Sequence, residues 1–327
     1  MPRRFAPRSD APSPAQTITD AIIARLETGT KPWVKPWTGS APQRPLRVCG
    51  TPYRGANIFW LWLVADLMGY RSPTWMTYRQ SAALGGQVRK GEKATIAIFY
   101  KSYAKSVADP ITGEEDRQTR RVLRSYPVFN CDQIDDLPDR YYAQPELAVA
   151  RNEPDPARVA DLMAFFDAIP AEVRHGGDRA YFHIQEDYVQ LPPVESFADF
   201  HCYSAIRCHE LAHWSGAESR LDRKFGHRFG DEDYAVEELC AELTSAILGS
   251  ELNLPVMLLD NHASYIQSWI DVLRADSKAL LTVASKAEEA ASYLLGLAGR
   301  HDDPAGDIVG DEADNDDDVP AEMSKAA

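Results

Sequence analysis

The residues best placed to do chemistry are His209-Glu210-Leu211-Ala212-His213. Side chains four apart on a helix share a face, so both imidazoles can reach one ion. Glu210, beside the first histidine, is the candidate catalytic group. It is placed to take a proton from a water held at the ion, and zinc lowers the pKa of such a water from near ~16 to roughly 7. A catalytic zinc takes three protein ligands and leaves one position open. His209 and His213 supply two. Glu238 is the candidate third, with Glu237 competing for the place. Glu242, one turn later, is the candidate outer partner that hydrogen-bonds a ligand histidine and fixes its tautomer. Zn2+ is the expected ion, with Mn2+ the alternative. The reaction this chemistry serves is peptide hydrolysis.

Such a set works only if two helices converge. The first is expected over Phe197–Trp214, stopped by Gly216. After a polar loop containing Gly226 and Gly230, the second is expected from Tyr234 to about Leu248. Ala235, Leu239, Leu243 and Ala246 mark its buried stripe, with Glu238 and Glu242 flanking it. Two strand-like stretches, Tyr181–His183 and Tyr188–Leu191, precede the motif, as in a peptidase that holds extended substrate along an edge strand. His201, two turns before His209, is read as a helix-surface residue. His227 is read as an ordinary loop histidine. Tyr234 could polarise a scissile carbonyl or simply pack. Cys208 points about 100° away from His209 and is read as a core thiol.

A second constellation lies near the N-terminus. Binding single strands without sequence preference needs cations for phosphates and aromatic faces for bases. Lys31, Trp33, Lys35 and Trp37 interleave the two. Tyr53 and Arg54 precede Gly55; Trp75, Tyr78 and Arg79 fall within one helical entry; and Arg89, Lys90 and Lys93 surround Gly91. Trp60 and Trp62 are read as core. The net charge of −14 hides a division: residues 1–130 hold 20 Lys and Arg against 9 Asp and Glu, net +11, and the rest hold 15 against 40, net −25. Screening confines each field to about 8–10 Å, so a basic segment of an acidic protein can still bind nucleic acid. No helix-turn-helix, zinc-finger or basic-zipper pattern favours duplex recognition. The longest apolar stretch, Ile58–Ala65, is too short to span a bilayer, and no signal peptide is expected. Five irregularly spaced cysteines fit reduced thiols in a cytoplasmic protein.

The expected fold class is α+β: a small α+β domain that binds single-stranded DNA, followed by a mainly helical domain. Residues 1–16 are expected to be disordered. The first domain covers 17–138, with helices near Ile18–Leu26, Asn57–Met68 and Thr77–Leu84. Strands at Thr95–Tyr100 and Val122–Asn130 flank a polar hairpin tip over 105–119. A linker is expected over 139–156. The second domain covers 157–300, adding helices at Ala157–Phe166, 255–274 and 278–297. Residues 301–327, with ten acidic residues against one lysine, form a disordered acidic tail.

Several of these stretches form a familiar set. Ile18-Thr19-Asp20, Leu26 through Trp33, Tyr53 through Asn57, Gly85 through Lys93 and Tyr126 through Asn130 resemble the N-terminal domain of ArdC-type antirestriction proteins. That domain also occurs in TraC-type plasmid primases. His209–Trp214, Ser219-Arg220-Leu221 and Tyr234–Glu242 are similar to the zincin-like peptidase domain that follows it in ArdC-type proteins. The resemblance covers roughly residues 17–297 and leaves out the acidic tail. It implies single-stranded DNA binding, a metallopeptidase fold, and protection of incoming plasmid DNA during conjugation. A restriction-system subunit is the implied class of protein substrate; the alternatives are a non-catalytic single-strand-binding protein with a structural metal site, or a replication or priming accessory.

Overall fold

The computed structural model describes residues 12–33, 43–108, 115–142, 155–225, 233–254 and 263–300. Lys35, Trp37, His227, residues 109–114 of the expected hairpin tip, residues 143–154 of the expected linker and the acidic tail lie outside them.

The first helix, α1 (Pro14–Glu27), starts earlier than the sequence indicated. The Ser13 side chain accepts from the Gln16 N–H, Pro14 occupies the first turn where its missing N–H costs nothing, and Ala15 is buried. Residues 14–16 are thus helical, which corrects the expectation of disorder there. After β1 (Leu46–Arg47), helix α2 (Ala56–Met68) buries Ile58, Phe59, Leu61, Trp62 and Leu63 around most of its circumference. A helix apolar on every side belongs in a core. Gly69, at φ 72°, ends it in the left-handed conformation that favours glycine.

Next come β2 (Thr74–Met76), α3 (Tyr78–Ala83) with Thr77 and Gln80 in a capping box, and β3 (Gln87–Val88). A long antiparallel hairpin follows, β4 (Thr95–Ala108) and β5 (Glu115–Asn130), paired from Thr95↔Val128 to Ala108↔Glu115. Most of the expected polar excursion is therefore ladder. Its composition concealed it because backbone groups, not side chains, make ladder hydrogen bonds. The sheet order is β1-β2-β5-β4, and β3 pairs separately with β6 (Ile134–Asp135).

Helix α4 (Pro156–Asp167) leads to a three-stranded sheet of order β7-β9-β8, formed by Glu172–His175, Tyr181–His183 and Tyr188–Leu191. The polar edge strand β7 carried no alternating signal in the sequence. Four α-helices complete the described residues: α5 (Phe200–Ser215), α6 (Asp233–Glu251), α7 (Ala263–Ala275) and α8 (Ala279–Leu297). The fold class is α+β, as expected. No described helix is long and apolar enough to cross a membrane.

One buried cluster joins the two ends of the chain. Ile18, Ile22, Trp33 and Phe59 share it with Leu239, Leu243, Trp269, Leu280 and Leu294. Polar ties cross the same boundary. The Thr19 hydroxyl donates to the Ser277 carbonyl at 2.8 Å, the Gly55 N–H donates to Glu288 at 2.5 Å, and Arg44 pairs with Glu251 at 3.1 Å. The apolar stripe of α1 is covered by α7 from the far end of the chain.

Candidate metal centre

Helix α5 is capped by Asp199, which accepts from the Cys202 N–H at 2.7 Å. Its buried side, including Cys208 and Leu211, packs in the same cluster as Leu239, Cys240 and Leu243 of α6. That packing sets the two charged faces opposite each other. His209 Nε2 and His213 Nε2 lie 3.2 Å apart. Glu238 places one carboxylate oxygen 3.6 Å from His209 Nε2 and the other 3.4 Å from His213 Nε2. Among the described residues, His209, His213 and Glu238 form a group whose ligand atoms all lie within 4.8 Å of one another.

This donor set fits a divalent metal. Ligands about 2.0–2.1 Å from a tetrahedral ion sit roughly 3.3 Å from each other, close to the three separations found. Two imidazole nitrogens and one carboxylate, all substantially buried, are a set that zinc and neighbouring divalent ions accept. Burial works against the charged form of Glu238, yet the two histidines hold its carboxyl well below the usual range. Burial likewise opposes charge on His213, but its hydrogen bonds to Glu237 and Glu238 and the charge of Glu210 push its pKa up to about 10.

Each of the two histidines has a carboxylate behind it. His213 Nδ1 lies 3.1 Å from Glu237 Oε1. An ionised carboxylate can only accept, so Nδ1 carries the proton and Nε2 offers the lone pair once the ring is neutral. Glu237, the competing candidate for third ligand, thus faces the outer nitrogen of His213. Glu242 Oε2 lies 3.9 Å from His209 Nδ1, close enough for an ion pair but too far for the hydrogen bond that the sequence reading expected. Each carboxylate is in turn held by a buried cation. Arg223 donates to Glu237, with Nε at 2.8 Å, and also to the Ala212 carbonyl and the Ser215 hydroxyl. Lys31 Nζ donates to Glu242 Oε1 at 2.7 Å, and Trp33 Nε1 donates to the same oxygen at 3.2 Å.

Sequence reasoning missed Arg223. Its one signal was an arginine in a loop otherwise rich in polar residues. Glu210 is 7% exposed, beside His209. Tyr234 is exposed, with its hydroxyl 3.2 Å from that of Tyr265. Its phenol pKa is raised, chiefly by that bond and then by burial and Glu238. His201 is half-buried, not a free surface group, and burial lowers its pKa. Cys208 is a core thiol, as expected, pushed up to about 12 by burial. All five cysteines are free.

The expected nucleic-acid residues divide by burial. Lys31, Trp33, Tyr53 and Trp75 are 6%, 3%, 2% and 1% exposed. This corrects the expectation that they meet bases or phosphates: a ring packed on both faces cannot stack on a base. Trp33 packs edge-on to Phe59 and tilted against Trp269, and Trp75 packs edge-on to Tyr70. Arg54, Arg79, Arg89, Lys90 and Lys93 are exposed. Arg89 pairs with Glu92 at 2.8 Å and Asp135 at 3.5 Å, and Arg54 lies 3.8 Å from Glu288. Among the described residues of this region, Tyr78, grouped in the sequence with Trp75 and Arg79, and Tyr100 on β4 are the exposed aromatics.

Comparison with known proteins matches both parts of the chain. Residues 13–129 match the N-terminal domain of anti-restriction factor ArdC, and residues 160–286 match a zincin-like metallopeptidase family. An uncharacterized protein of Sinorhizobium fredii, y4eC, is 41% identical over 285 residues, spanning 85% of this chain and 90% of that one. A DNA primase TraC of Escherichia coli is 35% identical over 301 residues, but the match spans only 27% of the primase. The crystal structure of the antirestriction ArdC protein from the R388 plasmid, free of metal, is 41% identical with a TM-score of 0.74, covering 88% of this chain and 98% of that one. Its Mn(II)-bound form gives a TM-score of 0.70 at 39% identity with the same coverage. With nearly the whole of that relative covered, and both parts matched in the same order, this chain belongs to the family of ArdC-type antirestriction proteins.

Proposed function

We propose that the protein is a divalent-metal peptidase tethered to single-stranded DNA, acting in the cytoplasm to protect incoming plasmid DNA during conjugation. The observation that carries the reading is the meeting of His209, His213 and Glu238 beside Glu210. His209, His213 and Glu238 hold the ion, Zn2+ by the preference of the fold, with Mn2+ the alternative that the R388 relative has been crystallised with. When bound, the ion supplies a Lewis acid that polarises a peptide carbonyl and acidifies water. Glu210 takes the proton from the attacking water and delivers it to the leaving amine. Glu237 and Glu242 keep the two imidazoles oriented. The substrate proposed is a subunit of a restriction system.

Residues 17–138 are proposed as the DNA-binding domain, 139–156 as the connection and 157–300 as the peptidase domain. The exposed cations Arg54, Arg79, Arg89, Lys90 and Lys93 provide a phosphate track, and Tyr78 provides a stacking face. Such a surface should show log affinity falling linearly with log salt.

The test compares the wild-type chain with Glu210→Gln, presenting restriction subunits with and without single strands. The variant should keep its metal and its DNA affinity but lose cleavage. Full protection in cells by the variant, with no cleavage by wild type, would leave instead a DNA-binding protein knit together by a structural metal.

A further inference from the structure

We propose that Lys31 and Trp33 are positioning residues of the metal centre, acting through Glu242 on His209. The inference rests on the metal-site reading and adds a part of the chain that no zinc-binding motif contains. Lys31 lies just beyond α1, more than two hundred residues before Glu242 in sequence, yet the two form a buried ion pair at 2.7 Å. Trp33 Nε1 donates to the same carboxylate oxygen at 3.2 Å. The other oxygen faces His209 Nδ1 at 3.9 Å. One oxygen is thus held by the N-terminal segment while the other is aimed at the ligand ring. At 3.9 Å the approach is that of an ion pair and not of a hydrogen bond.

The surroundings make the arrangement rigid. Lys31 Nζ lies 5.9 Å from the centre of the Trp269 ring, and Trp33 packs against both Trp269 and Phe59. Trp269 stacks on Tyr265, whose hydroxyl meets that of Tyr234. Tyr234 lies one turn before Glu238 on α6. Stability alone is a poor reason for this ion pair. Desolvating two charges costs about as much as their attraction returns, and apolar replacement of a buried pair is often neutral or favourable. What the pair does provide is one fixed carboxylate rotamer. A metal-ligating histidine depends on such a partner for its ring orientation.

The test is a competition titration of the full chain with Zn2+ against a chromophoric chelator. It uses wild type, Lys31→Met, Lys31→Arg, Trp33→Phe, Glu242→Gln and the double variant Lys31→Met/Glu242→Gln. Lys31→Met and Glu242→Gln should each weaken Zn2+ binding by about 10–100-fold, the range for partners of ligand histidines. The double variant should bind no more weakly than Glu242→Gln alone, and Lys31→Arg should restore most of the affinity. Trp33→Phe keeps the packing but loses the donor, so a smaller fall is expected there, readable even if Lys31→Met fails to fold. Wild-type affinity in Lys31→Met, or losses that add in the double variant, would overturn the proposal. Failure of wild type itself to bind Zn2+ would overturn the underlying metal-site reading instead.

Discussion

Arg223 occupies the space that a side chain at position 216 would need. A Cβ on Gly216 would fall 2.5 Å from Arg223 Nη2. Gly216 does follow the last turn of α5, as the sequence indicated, but its φ of −79° is one that any residue adopts. The glycine is required for room. It lets the guanidinium lie against the end of α5 and reach Glu237 behind His213. Gly216→Ala should therefore destabilise the protein by about 1–3 kcal/mol through overpacking. Thermal unfolding and metal titration check this, and both should fall together, because the crowded guanidinium atoms are the ones that bond Glu237 and the Ala212 carbonyl.

The two glutamates that the sequence could not separate should respond differently. Glu238→Gln removes a charged ligand and should weaken metal binding by well over 100-fold. Glu237→Gln should weaken it by about 10–100-fold, as for other partners of ligand histidines. It should also cost about 2 kcal/mol of stability, because Arg223 loses a charge-assisted bond. Chelator competition and melting curves on the two variants measure this. The reverse order of metal affinities would assign the ligand to Glu237.

Metal binding should be linked to protons through His213. Its pKa in the metal-free protein is raised from 6.5 to about 10. The charged ring therefore stabilises the metal-free fold fully below its unfolded pKa, and that contribution is lost as pH rises through about 10. A metal needs the neutral ring, so near neutrality the ion displaces a proton and affinity climbs with pH. Calorimetric titration in buffers of different ionisation enthalpy should register about one proton released per ion near pH 7.5. Affinity that is flat with pH would contradict the assignment.

For the nucleic-acid surface, burial separates the candidates. Replacing Arg79, Lys90 and Lys93 with alanine should lower affinity for an oligonucleotide. It should also reduce the salt slope by about 0.7 for each phosphate that is no longer neutralised. Tyr78→Ala should weaken binding without changing that slope, whereas Trp75→Phe should leave affinity unaltered in a folded variant. Fluorescence anisotropy across a salt series reads all three.

Much of the metal centre was legible because a spacing of four on a helix is local information. His209 and His213 needed only the helical period, and the acidic run on the next amphipathic helix pointed to Glu238. Arg223 and Lys31 were not legible, because their partners are set by how helices pack and no local pattern encodes that. Lys31 and Trp33 misled for the same reason. Lys31 and Trp33 look like part of a strand-binding surface until the core closes over those two residues. Similarly, α1 showed its apolar stripe plainly, but that α7 covers it is a fact of tertiary structure.

The most direct test of the central claim is the metal stoichiometry of the purified full chain. Equilibrium titration with Zn2+ and with Mn2+ should give one tightly held ion per chain, lost when Glu238 and His213 are both replaced by alanine. A wild-type chain that holds no divalent ion, or a double variant that holds it as tightly, would contradict the account.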